Sequence, residues 1–217
     1  MIIKAHIKIL AAIWLITLLA CNEKLSSEKE MYQWFNEPEN GLMKTKAVNG
    51  IKLTVKYLPV EYLAYKELNG MDGYDKTVRD SIMDTYDSSY TFLLTIGPDE
   101  ESGEDFDIQR LDITNYSEYK DRVMSMNFHI GDCLILRTEH GEFKPVLSAM
   151  ENVYGLSKHR NIYIVFSPSH EKSELLDVQT FDLIFNDELF ETGINHFVFQ
   201  KTDFEAVPKI NFWKTTT

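Results

Sequence analysis

The chain has 217 residues, enough for one domain of ordinary size with a real apolar core, or at most two small ones. Its 34 acidic residues outnumber 22 basic ones and give a formal net charge of −12, which argues against nucleic acid or an anionic lipid surface as a partner. Two cysteines, Cys21 and Cys133, leave no dense disulfide framework, so stability has to come from burial.

Residues 1–20 read as a secretory signal: Lys4 and Lys8 supply a positive start, and Ile9 to Ala20 is apolar except for Thr17. Twelve helical residues rise about 18 Å, short of the roughly 30 Å of a bilayer core. The run ends in Leu18-Leu19-Ala20-Cys21, which resembles the lipobox of bacterial lipoproteins. The resemblance covers the first 21 residues. It implies cleavage before Cys21, lipidation of its thiol and acylation of the new amino group, and several acyl chains on one residue make a stable anchor. By the same resemblance, Asn22 in place of aspartate points to an outer membrane, and Glu23, Glu28 and Glu30, interrupted by Lys24 and Lys29, leave the periplasmic and surface faces both open. Removal of 20 of the 217 residues takes two lysines, leaving 20 basic against 34 acidic residues and a net charge of −14.

Residues 21–26 form the expected lipidated tether, and 27–217 a single globular β-rich domain with N-terminal helices. Ser27 with Glu30 forms a capping box for a short amphipathic helix carrying Met31, Trp34 and Phe35, stopped by Pro38. Ile51 to Tyr57 alternates strictly and predicts a half-buried antiparallel strand. Pro59 ends it, Val60 to Leu68 reads as a helix, and a second helix runs from about Asp75 to Tyr86. Tyr90 to Ile96 is the next strand, closed by Gly97-Pro98. A helix follows with Ser117 as its expected N-cap and Tyr119, Val123 and Met126 along one side.

Strands then dominate: 133–137, 143–149, 162–167, 181–186 and 197–201. Pro145 demotes its strand to an edge or a bulge. Ile162 to Phe166, apolar on both faces, belongs at the centre of the sheet system, and Val153 to Leu156 extends a strand or leads into one. The inventory predicts an antiparallel β-sandwich with helical insertions in the N-terminal half; the alternative is an α+β domain with helices covering one sheet face. The texture around Tyr154-Gly155-Leu156 and Asn161-Ile162-Tyr163 is similar to uncharacterised Bacteroidota lipoproteins, a resemblance that implies no activity.

Chemistry is sparsely marked. Residues 99–107 carry six carboxylates in nine positions, a composition able to hold Ca²⁺, but without the ligand alternation, central glycine and distal glutamate of the helix-loop-helix calcium motif. A solvated loop is the preferred reading. Ser117-Glu118-Tyr119-Lys120 matches S-x-x-K without its companion motifs. His129, His140, His159, His170 and His196 stand singly, in positions suited to solvation or capping rather than to a shared metal. Cys133 begins an apolar strand and reads as an inert core thiol, while Trp34 and Trp213 read as core rings rather than glycan platforms.

No G-x-S-x-G, H-E-x-x-H, C-x-x-C, Walker or G-x-G-x-x-G motif occurs. The reading assigns no catalytic residue, cofactor or metal, and one modification site, lipidation at Cys21. It expects a lipid-anchored cell-envelope protein with a non-catalytic binding or assembly role, held to the membrane through Cys21 and presenting loops to an envelope protein or glycan. Two other classes stay open: an envelope hydrolase acting on a glycan or other polymer through scattered carboxylates, and an immunity-like or inhibitor protein whose acidic surface blocks a basic partner.

Overall fold

The computed structural model describes residues 24–153, 157–167 and 178–214. The fold is α+β, with two antiparallel sheets facing each other and neither closed into a barrel. The first sheet has the order β2-β3-β4-β8-β7, from β2 (Met43–Val48), β3 (Ile51–Leu58), β4 (Tyr90–Pro98), β7 (Leu147–Met150) and β8 (Arg160–Phe166). The second has the order β10-β9-β5-β6, from β5 (Leu134–Thr138), β6 (Gly141–Phe143), β9 (Thr180–Asp187) and β10 (Gly193–Gln200).

Strand alternation makes the core. Leu53 and Val55 of β3, Phe92, Leu94 and Ile96 of β4, and Ile162, Ile164 and Phe166 of β8 all turn inward and are fully buried. Opposite them lie Leu134, Leu136, Phe181, Leu183, Phe185 and Phe199. Rings join the two sheets: Phe92 and Phe199 are 5.4 Å apart between centroids, and Tyr90 and Phe181 are 4.6 Å apart. At the edge strand β2 the inward positions are lysines, with Nζ of Lys44 5.8 Å over the Phe199 ring and Nζ of Lys46 5.8 Å over Phe197. Their stems close the gap between the sheets, and inward charges on an edge oppose pairing with another chain.

Three of the five α-helices among the described residues lie in the first half of the chain. α1 (Glu28–Asn36) is capped by Ser27, whose side chain accepts from the Glu30 amide, while Glu30 reaches back to Ser26. α2 (Val60–Leu68) and α3 (Lys76–Asp87) pack on each other, and Tyr62 meets Phe35 edge-on at 5.5 Å. α4 (Tyr116–Met124) continues into a π turn over Ser125–His129, and α5 (Lys201–Glu205) follows β10. Among the described residues no helix is long and apolar enough to cross a membrane.

Several boundaries differ from the expected ones, each for a local reason. Lys24 and Leu25, expected in the tether, form strand β1, paired in parallel with β11 (Lys209–Ile210), where Leu25 and Ile210 are each 6% exposed. The expected strand 143–149 is divided: β6 ends at Phe143, and beyond Pro145 the chain enters the other sheet as its edge strand β7. β8 is interior but not central; β4 takes the middle, and Tyr163 on the outer face of β8 is 37% exposed. Cys133 precedes its strand, half-buried at the end of a short 3-10 turn. Val153 is outside any strand, and residues 154–156 lie outside the described residues.

The N-cap of α4 is Asn115, not Ser117. Its side chain accepts from the Glu118 amide at 3.1 Å, and the Glu118 carboxylate accepts from the Thr114 amide at 2.8 Å, a reciprocal cap one residue wider than usual. Asn115→Ala is therefore expected to lower stability by about 1 kcal/mol, and Ser117→Ala by less than about half of that. Urea midpoints of the two variants check the order, and a larger cost for Ser117→Ala refutes the assignment.

Candidate functional site

Where β3 ends, Pro59 breaks the ladder and leads directly into α2, and this places Tyr57 and Glu61 side by side at one end of the sandwich. The last turn of α3 brings Met83 and Asp87 to the same end, Tyr90 opens β4 there, and α5 closes it with Lys201, Phe204 and Glu205. Together these residues line a cleft of about 250 Å³.

The floor is aromatic. Phe204 stacks on Tyr57 with centroids 3.7 Å apart and approaches Phe181 at 5.2 Å, so α5 plugs the gap between the sheets. Tyr57 is 7% exposed. Burial, and then the neighbouring Tyr90, Glu61 and Asp87, push its phenol well above the ordinary range, and burial with Asp87 and Glu205 raises Tyr90. Both phenols are therefore neutral at physiological pH and unsuited to act as bases. The walls carry three carboxylates, Glu61, Asp87 and Glu205, against one cation, Lys201, whose Nζ lies 3.9 Å from Glu205. The lining holds no histidine or cysteine. The lining therefore offers neutral phenols, ring faces and carboxylates to whatever enters.

A second polar centre is structural. Arg160, 3% exposed at the inward end of β8, donates to both Asp107 carboxylate oxygens at 2.8 and 3.0 Å and to Gln109 at 2.9 Å. Its other guanidinium nitrogen donates to the carbonyls of Ser157 and His159. The cluster borders a cavity of about 360 Å³ that also meets Tyr119, Asn127, Met150 and Glu151.

The residues singled out in the sequence do not converge. In the acidic segment, Asp99 caps a 3-10 turn, Asp105 pairs with Lys158 and Asp107 with Arg160, so these carboxylates face different partners. Among the described residues no group of three or more His, Cys, Asp or Glu side chains is placed to hold a metal ion. His129 lies 3.5 Å from Asp132, His196 donates or accepts at 2.8 Å from Asp182, and His159 sits over Gly97, filling the space a Cβ would need. His140 is exposed on the turn before β6, and His170 lies outside the described residues, as does Cys21. Ser117 and Lys120 are both exposed on α4. Burial, with Glu188 next, raises the Cys133 thiol, which leaves it a poor nucleophile. Trp34 and Trp213 pack half-buried against the core.

Sequence reasoning passed over the cleft entirely. One signal was available: Asp87 is the last residue of α3, at the negative end of the helix dipole, in a last turn without any basic residue. Such a placement costs stability locally, and local costs accumulate at functional sites.

No known protein family matches the sequence, and no curated protein matches it. Among solved structures the chain is similar to a crystal structure of a protein of unknown function from Burkholderia pseudomallei K96243, at 10% identity and a TM-score of 0.36, over 87% of this chain and 95% of that one.

Proposed function

We propose that the protein is a lipid-anchored component of the cell envelope, cleaved before and acylated on Cys21, with a non-catalytic binding or assembly role at an outer membrane. The observation that carries this reading is Leu18-Leu19-Ala20-Cys21 at the end of an apolar run that starts from two lysines. Strand β1 starts at Lys24, so only Asn22 and Glu23 separate the lipidated residue from the folded body. Three residue steps reach about 10 Å at most. A body held that close works on molecules at the membrane surface, envelope proteins or glycans, rather than on solutes far from it. The cleft, with neutral phenols and carboxylates, supports binding as its task.

Metabolic labelling with radioactive palmitate tests the anchor. Wild-type protein is expected to take up label and partition into detergent, and Cys21→Ser to lose both completely. Cross-linking in intact cells tests the role: one defined envelope partner recovered with wild type and lost with Cys21→Ser is the expected result. Unlabelled wild type refutes the anchor, and hydrolysis of an envelope polymer by the purified protein refutes the non-catalytic role.

A further inference from the structure

We infer that the cleft at the end of the sandwich is a receptor for a primary ammonium group carried on a short alkyl chain, either a free aliphatic amine or a lysine side chain. The inference deepens the binding role proposed above and rests on it for its meaning, though not for its chemistry.

Three features select a cation. The first is charge: the Lys201–Glu205 pair leaves Glu61 and Asp87 facing the cleft, with no cationic partner for either among the described residues. The second is the dipole of α3, whose negative end coincides with Asp87 and adds to the attraction for a cation while repelling an anion. The third is the Tyr57 hydroxyl. Tyr57 is more than nine-tenths buried, its phenol senses Tyr90, Glu61 and Asp87, and its oxygen has no hydrogen-bond partner among the described residues. The ring is buried while the hydroxyl opens on the cleft without a protein partner, so beside uncompensated carboxylates it is free to meet a donor that enters there. An ammonium group brings three donors and no acceptor, which matches two carboxylates and one phenol oxygen.

The walls select the rest of the ligand. Tyr57, Tyr90 and Phe204 present ring surface, favourable to a cation and to the methylenes behind it, and Met83 and Val60 add apolar contact. At about 250 Å³ the cleft is below the usual range for drug-sized ligands, about 300–1,000 Å³, and suits one end group better than a sugar unit of a polymer. Metal ions are a poor alternative, since among the described residues no three ligating side chains are placed to hold one there.

Isothermal titration of the full mature lipoprotein in nonionic detergent tests the proposal. The probes are 1,5-diaminopentane, Nα-acetyl-lysine-N-methylamide as the protein-borne form, and 1,5-pentanediol as the uncharged match. Saturable one-to-one binding of at least one amine is expected, with no binding of the diol, and the stronger amine identifies the source. Asp87→Asn and Glu61→Gln keep size and shape and are expected to weaken the amine at least tenfold each, while Tyr57→Phe keeps the ring stack and weakens it several-fold. Far-ultraviolet circular dichroism confirms that each variant is folded. Absence of saturable amine binding, equal binding of the diol, or unchanged affinity in both carboxylate variants overturns the amine site and leaves the anchored binding role to the labelling and cross-linking tests. Consumption of the bound amine overturns the non-catalytic role while retaining the site.

Discussion

Phe92→Ala is expected to lower stability by about 3–5 kcal/mol, a large part of the roughly 5–15 kcal/mol that holds a domain together. Phe92 is fully buried in the middle strand of the first sheet, and its ring is 5.4 Å from Phe199, 5.7 Å from Tyr57, 6.1 Å from Phe166 and 6.3 Å from Phe204. The last contact ties the core to the cleft, because Phe204 is also the ring that stacks on Tyr57. Truncation therefore removes burial from both sheets and leaves a cavity that neighbouring rings are too rigid to fill. Phe128, 68% exposed on the π turn, is the matched control, and Phe128→Ala is expected to change stability by no more than about 0.5 kcal/mol. The check is the urea midpoint at unchanged slope. Equal costs for the two variants would falsify the two-sheet core.

Where a pattern runs long, the sequence specifies its element. The alternation of Ile51 to Leu58 has one buried solution, and β3 adopts it. Pro59 and Leu68 bound α2, and Asp75 caps α3 as a short acceptor side chain before a helical run should. The errors arise where several outcomes share one local pattern. Two residues such as Lys24-Leu25 are too few to show a period, and their pairing with Lys209-Ile210 spans nearly the whole chain. Pro145 signals a break in pairing but says nothing about which sheet the chain joins next. Tyr163 and Val165 are apolar yet face outward on β8, so an apolar run alone does not place a strand at the centre. Asn115 and Ser117 are both good caps, and the glutamate that decides between them, three residues on from Asn115, was available in the sequence.

The cleft illustrates a deeper limit. Tyr57 and Glu61, Asp87 and Tyr90, and Lys201 to Glu205 come from three regions, and no spacing rule joins them. Their proximity follows from the register of β3 on β4, which sets Tyr57 opposite Phe92, and from α5 folding back over the end of β10. Asp87 alone carried a local clue, since it opposes the helix dipole at no visible structural gain.

Arg160→Met is expected to cost roughly 3–5 kcal/mol, because it strands a partly buried carboxylate rather than because the ion pair is itself a large net source of stability. The Arg160 side chain is 3% exposed and that of Asp107 27%, so removal of the guanidinium leaves Asp107 and Gln109 without their donor at the inner edge of the core. Asp107→Asn should also be costly: its amide oxygen still accepts from the Gln109 amide, now at 3.0 Å from the carboxylate, and keeps the 3-10 turn capped, but the buried guanidinium loses its counter-charge. In the double variant both charges are gone and the cap survives, so at least half of the Arg160→Met loss should return. The Asp105–Lys158 pair sets the scale: its side chains are 75% and 52% exposed, and an exposed pair contributes about 0–1 kcal/mol. A double-mutant cycle read by urea denaturation measures the coupling directly. Coupling below about 0.5 kcal/mol, or a loss in Arg160→Met no larger than in Lys158→Ala, would show that the acidic segment is not held through Arg160. Strong coupling would make this one arginine the reason that a segment so rich in carboxylates is ordered against the end of β8, where its charges pair separately instead of gathering around a cation.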